Sequence, residues 1–393
     1  MSSPALSVKL PTWQTQLSMK NFVNWVAISN DASRLIADTY YYPYPGTDTT
    51  EVHGTYGTYC FDSTGALLWS DEFEGDEGVF AVAISGDGQV AAAGGLFSGG
   101  KYSDDPDKGF FRAYNANTGA RLIDYGGIKK RVNSVSLSDD GGVIAAVAAS
   151  KLYVWVRKNG VFPADPAIPV TAGDFLDCTS VHSTGDFVTA CDRAGNVYMV
   201  TIKNGAVDKT FTWTAPVKLP FLSVAASPDS SSFVVGGGNF VYLFTKQSMK
   251  AAGGPAPIAS FSLDGKPPNR FAQTVRWVGI SGNGLLTSVV SNLADKGEVR
   301  ALTYDGANLN LAWKAALDRN PNSTSIDSAG KYVTVCIGEP IGTPGAFSLF
   351  DAATGSKLWD FAAGNMCWPM FISADGSGIA AGSDDGFLYM FQP

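Results

Sequence analysis

The sequence predicts an all-β fold, a single eight-bladed β-propeller, and three observations carry that prediction. A motif of the form V-x-I-S-x-D-G returns eight times along 393 residues. Each copy is followed by two short apolar runs, and most are preceded by a tryptophan at a nearly fixed distance. The last copy lacks the strand that should come fourth, and a segment fitting that strand stands at the other end of the chain. Four strands in a repeat of about 45–55 residues is the pattern of a propeller blade.

The inner-strand motif reads WVAISNDAS (25–33), AVAISGDGQ (81–89), SVSLSDDGG (134–142), SVAASPDSS (223–231), WVGISGNGL (277–285) and PMFISADGS (369–377). Degenerate copies are CTSVHSTGD (178–186) and STSIDSAGK (323–331). Val26, Val82, Val135, Thr179, Val224, Val278, Thr324 and Met370 are then equivalent, at spacings of 56, 53, 44, 45, 54, 46 and 46. Second strands follow (RLIAD, QVAAAG, GVIAAV and their counterparts), then third strands (TYCFD, FFRAYN, LYVWV and theirs). Asp-Gly turns at Asp87, Asp140 and Asp375 serve the inner hairpins. Separate small sandwiches are excluded, because no repeat is long enough to bury a core of its own.

The fourth strand decides closure. Trp69 precedes its marker by 13 residues, while Trp213, Trp313 and Trp359 precede theirs by 11. Ile123 fills the place at 12, and Trp13 lies 13 before Val26. Thr12–Ser18 is therefore expected as the outer strand of blade 8, completing the three strands in Phe371–Phe391. Pairing the two ends removes the open edges of an unclosed sheet. One domain is expected over 1–393, with 1–10 a flexible tail.

The outer-strand segments FDSTGALLW (61–69), YNANTGARLI (114–123) and FDAATGSKLW (350–359) resemble the repeat of quinoprotein-like propellers. That group includes eight-bladed quinone-cofactor alcohol dehydrogenases and outer-membrane assembly lipoproteins. The ISxDG motifs equally resemble bacterial WD40-like repeats. The resemblance spans the chain and is architectural: its motifs are turns and packing tryptophans. No GH…WD pairing occurs, so the buried polar network of WD40 blades cannot form, and the adjacent-cysteine pair of the quinone dehydrogenases is absent. Fold alone does not vouch for chemistry.

Composition narrows the function classes. Hydrophobic residues make up 45% and charged ones 16%, which suits a packed rather than a disordered chain. A net charge of −8 without a Lys/Arg cluster argues against a nucleic-acid partner. No apolar run of about 18 residues is present, so no membrane insertion by a helix is expected. The start, MSSPALSVKL, lacks the regions of a signal peptide. Five scattered cysteines without CxxC spacing read as small buried strand residues. A cytoplasmic or otherwise reducing location is the expectation, and a secreted form with its signal removed would look the same.

In propellers of the kind resembled, the inner strands begin at the top face, so the residue two before each marker rings the channel mouth. That ring reads Asn24, Phe80, Asn133, Asp177, Leu222, Arg276, Asn322 and Trp368. Two readings stand: a polar pocket for a small ligand or a partner's loop, or a water-filled mouth. The Asp/Asn/Arg/Trp set also resembles a quinone-and-calcium pocket. No cofactor is expected from the residues; the resemblance leaves pyrroloquinoline quinone or Ca²⁺ open. Uneven top loops, 40–55, 96–108 and 338–345, raise walls around a short loop in blade 8. Tyr41 and Tyr44 stand in the first wall; they suit contact with a protein, peptide or glycan, or else pack over the neighbouring blades.

Other chemistry is sparse. Asp104, Asp105 and Asp107 form an acidic turn without the ligand spacing of a calcium loop. The two histidines are His53, in the first insertion, and His182, which takes a turn-serine place. No HExxH, GxSxG or P-loop pattern is present. The expected function is a non-enzymatic binding propeller. The alternative is an enzyme with its site in the channel mouth, a hydrolase, a lyase or a quinone-dependent dehydrogenase.

Overall fold

A computed structural model describes residues 7–19, 21–40, 55–74, 78–96, 109–266, 268, 274–293, 296–338 and 343–393. Eight antiparallel sheets form the blades, seven of four strands and one of five. Blade 1 comprises Val26–Ile28, Arg34–Asp38, Thr55–Asp62 and Leu67–Glu74, and the later blades repeat that order. Every inner-strand marker faces the residue eleven positions on, from Val26↔Ala37 and Val82↔Ala93 to Thr324↔Val335 and Met370↔Ala381. The equivalence read from the motif is thus an equivalence of register. The turn Lys246–Met249 in blade 5 is helical, which no sequence signal had suggested.

Closure follows the expected route. Trp13–Gln16 pairs antiparallel with Phe387–Phe391, with Trp13 opposite Met390 and Gln16 opposite Phe387. Within the segment expected as a flexible tail, two residues are paired. Ser7–Val8 adds in parallel to the outer strand of blade 7, Ser7 opposite Trp359. An open outer edge next to the incoming chain offers unpaired backbone groups, and the chain satisfies them on its way to blade 8.

The tryptophan spacing has a physical cause. The indole N–H groups of Trp13, Trp69 and Trp313 donate to the carbonyls of Ser63, Ala116 and Ala352, at 3.0, 2.7 and 2.7 Å. Each acceptor lies in the turn of the following blade, one residue past the Asp or Asn of the (D/N)-x-x-T-G or D-x-T-G segment. The turn glycine is left-handed there (Gly65 φ 87°, Gly119 φ 71°, Gly355 φ 71°) and lies flat against the indole. Trp359 has no such carbonyl, since blade 8 takes its third and outer strands from opposite ends of the chain and has no turn between them. Its indole N–H is buried without a hydrogen-bond partner among the described residues.

A Cβ on Gly119 would lie 2.8 Å from the Trp69 ring, on a backbone that L-residues rarely adopt. Gly119→Ala is therefore expected to destabilise the ring by about 2 kcal/mol. An unchanged denaturation midpoint would show that the turn does not hold the blade 1–blade 2 seam.

The repeated serines protect the inner edges. Each inner strand presents unpaired N–H groups to the channel. Hydroxyls of the preceding blade take several of them. Ser136 accepts from Val181 N, Ser180 from Ala226 N and Ser325 from Ile372 N, at 2.9–3.0 Å. One step along, Ser134, Ser223 and Ser323 accept from Thr179, Val278 and Met370. The turn serine of the motif is buried and accepts from its own hairpin, as Ser85 does from Val90 N and Ser138 from Val143 N, each at 2.9 Å.

At the bottom face these turns form a closed circuit. Asn30 N donates to Gly86 O, Asp87 N to Asp139 O, Asp139 N to Ser183 O, and the Ser183 hydroxyl to Pro228 O. Asp229 N donates to Gly282 O, Gly282 N to Ser328 O, Ser328 N to Ala374 O, and Asp375 N returns to Asn30 O. Eight steps, all in one sense, tie each blade to the next.

Candidate functional site

The mouth residues share one local geometry. In blades 2 to 7 the inner strand carries a β-bulge whose extra residue is the one two before the marker. Phe80, Asn133, Asp177, Leu222, Arg276 and Asn322 are those residues. In blade 8 the irregularity spans Trp368. A bulge bends the strand and redirects one side chain, so these positions differ in kind from their neighbours. Asn24 precedes the strand of blade 1 and is fixed another way: its N–H and that of Trp25 both bond to the Asp38 carboxylate, at 3.1 and 2.8 Å.

Once placed, the ring residues separate. Asn24 and Asn322 are buried and turn sideways, donating to the Phe80 and Cys367 carbonyls of the following blades at 2.7 Å. They bind the seam. Asp177 is held by Arg193 through two contacts of 2.7 Å. Burial raises the Asp177 pKa and outweighs Arg193, which acts to lower it; the more distant Arg276 charge also lowers it. Asn133 accepts from Arg131 at 3.3 Å, and the Arg131 guanidinium lies 3.8 Å from the centre of the Phe80 ring and bonds the Tyr40 hydroxyl. Trp368 is half-buried. Arg276, also half-buried, makes no hydrogen bond or ion pair with any described residue.

Below the ring the channel is bridged. Trp25 of blade 1 meets Trp277 of blade 6 with ring centroids 5.2 Å apart, and Phe371 of blade 8 lies 5.4 and 6.4 Å from the two. Blades 1 and 6 are not neighbours, so these rings can meet only across the axis. Further down, Asn30 of blade 1 and Asp139 of blade 3 converge over Gly86, where a Cβ would lie 2.3 and 2.4 Å from them. Burial, with the charges of Asp229 and Asp87, raises the Asp139 pKa against the Asn30 hydrogen bond and the His182 charge. The mouth is therefore a shallow basin with an aromatic floor.

The quinone-and-calcium likeness does not fit these residues. The one ring carboxylate is occupied by Arg193, two ring amides are bound to carbonyls, and aromatic rings close the channel below the ring. Among the described residues no group of three or more His, Cys, Asp or Glu is placed to hold a metal. His182 is structural in its contacts. Its ring stacks on Phe187 at 4.6 Å, and its nitrogens meet Thr184, Asp186 and the Ser230 carbonyl. The five cysteines are buried free thiols, and burial pushes Cys60 up to about 12 and Cys178 to about 11. Tyr41, Tyr44, His53 and the acidic turn at 104–107 lie outside the described residues.

Sequence reasoning missed Asp38, Arg193, Arg131 and the three channel aromatics. A signal was present for four of these six. Trp25 and Trp277 stand one before the marker, where other blades carry Ser134, Cys178, Ser223 and Ser323. Phe371 stands one after it, where others carry Ser136, Ser180 and Ser325. Asp38 ends a second strand at a place held elsewhere by Gly94, Val147, Cys191 or Gly236.

No known family profile matches the chain, and no curated protein is similar to it in sequence. Among solved structures, the fold is similar to the crystal structure of Chaetomium thermophilum Sqt1, at a TM-score of 0.69 and 12% identity. The match covers 96% of this chain and 98% of that one. At such identity the likeness is one of fold. No helix among the described residues is long and apolar enough to cross a membrane.

Proposed function

We propose that this propeller is a non-enzymatic binding module that presents its top face to a protein partner. The observation that supports this most is the bridged channel. With Trp25, Trp277 and Phe371 meeting across the axis, the mouth offers a shallow, half-exposed basin instead of an enclosed reaction chamber. Its polar groups are mostly committed to the seams: Asn24, Asn322 and Asp177 hold backbone or Arg193 and are not placed as free acids or bases. Shallow aromatic and Arg-bearing surfaces on rigid scaffolds suit macromolecular recognition. The strand ends that flank the insertions 40–55 and 96–108, Asp38 opposite Thr58 and Leu96 opposite Gly109, lie at this end of their blades.

The test is site-directed photocrosslinking in cells. A photoreactive residue at Leu222 or Trp368 is expected to yield a discrete protein adduct, and one at Thr354 on the bottom rim none. Tyr41→Ala with Tyr44→Ala should weaken the top-face adduct without lowering the melting temperature. Adducts confined to the bottom rim, or equal at both faces, would overturn the reading.

A further inference from the structure

We infer that Arg276 is the anchor for a carboxylate of an acidic, aromatic-bearing peptide segment, received in the basin above Trp25, Trp277 and Phe371. This rests on the top-face reading and names the chemistry of the partner. Elimination leads to Arg276. Arg193 is neutralised by Asp177, Arg131 is engaged by Tyr40, Asn133 and the Phe80 ring, and Arg319 donates to the Pro344 carbonyl. Lys218 lies 3.8 Å from Asp174. Arg276 alone of the inner ring is a half-buried cation with no hydrogen bond or ion pair among the described residues, its charge reaching only Asp177, which Arg193 already holds.

A guanidinium partly withdrawn from water has lost hydration that no hydrogen bond from a described residue replaces. Its planar fork matches a carboxylate through two parallel hydrogen bonds, and such pairs strengthen as water is excluded. The bulge that carries Arg276 also fixes its neighbour Trp277, whose indole is the blade 6 part of the aromatic floor. One inner-strand segment therefore offers a cation and an aromatic surface side by side. An extended peptide with an acidic side chain next to an aromatic or aliphatic one would meet both.

The surroundings favour a peptide carboxylate over a polyanion. A nucleic acid needs a row of cations, since each phosphate contact contributes little alone. Here one arginine without a hydrogen-bonding partner among the described residues lies in a chain of net charge −8.

The experiment is a selection from an array of randomised short peptides, including phosphoserine, using the full chain and its Arg276→Gln and Arg276→Lys variants. The wild type is expected to enrich Asp and Glu next to Phe, Trp, Tyr or Leu. Arg276→Gln should lose that enrichment and bind the selected peptides about tenfold or more weakly, as for loss of one partner of a desolvated charge pair. Arg276→Lys should recover part of it, and the melting temperatures of all three should agree. Quenching of tryptophan fluorescence by the selected peptide in the wild type would place it on the aromatic floor. No selection, selection without acidic residues, preference for phosphoserine, or enrichment unchanged in Arg276→Gln would each overturn the inference. If crosslinking still mapped a partner to the top face, the broader reading would survive that failure; if crosslinks fell elsewhere, both would fail.

Discussion

Deleting residues 1–18 is expected to cost the protein its closed ring. The deletion removes the outer strand of blade 8 and its pairing with Phe387–Phe391. The Trp13 indole leaves Ser63 and Gly65, and the parallel strand Ser7–Val8 leaves blade 7. What remains is a bare edge of Phe387–Phe391, with apolar side chains that Trp13 and Leu17 help to cover. The expected loss is on the order of 5 kcal/mol or more, a large share of the total stability of ordinary domains. Such an edge also recruits other chains. Light scattering and thermal melting should show association and a steep fall in midpoint, and a synthetic peptide covering 5–20 added in trans should reverse part of both. A truncated chain that stays monomeric with an unaltered midpoint would refute the closure energetics described above.

Asp38→Ala should have the next largest effect. The Asp38 side chain is fully buried, and its Oδ1 accepts the backbone N–H groups of both Asn24 and Trp25. Alanine leaves two buried donors unpaired, at about 1–3 kcal/mol each. It also frees the segment that aims Trp25 at Trp277, so the tryptophan emission of the folded protein should change as well. Asp38→Asn keeps an acceptor in place and serves as the control.

The sign of the pH dependence follows from burial. Burial raises the Asp38 pKa well above its ordinary value of 3.8, against the two N–H donors that lower it. Its contribution to stability is thus complete below about pH 3.8 and declines as pH rises through the folded-state pKa. Asp38→Asn should therefore gain on the wild type as pH rises, by chemical denaturation measured from acid to neutral pH. Parallel stability curves for the two proteins would show that Asp38 does not titrate in that range.

The fold was legible because propeller geometry imposes itself on many residues at once. The markers recur in register because every inner hairpin needs a buried turn serine or its substitute, as at Ser85, Ser138 and Asp327. The tryptophans recur because an indole must reach the next blade's turn, as Trp69 reaches Ala116. The site was legible only as positions. Asn24, Asn133, Asp177, Arg276, Asn322 and Trp368 do occupy one ring, but their directions depend on partners far away in sequence. Asp177 is separated from Arg193 by a strand turn, and Asn322 finds its acceptor at Cys367 in the next blade. The channel aromatics were visible as exceptions to the serine pattern. That they meet across the axis depends on ring diameter, which no single repeat encodes.

The closing strand also sets an order of events during synthesis. Gln16 and Phe387 are adjacent in blade 8 but 371 residues apart in the chain. At roughly 5–20 residues per second, the first strand emerges and waits about 20–75 s before its partner exists. Seven blades can stack progressively meanwhile, each onto a finished neighbour, while Trp13 stays without its sheet. The last step joins two strands whose synthesis is separated by seven blades. A nascent chain stalled before Phe387 would thus carry a nearly complete but unsealed ring, a state open to strand exchange with a neighbouring copy on the same message.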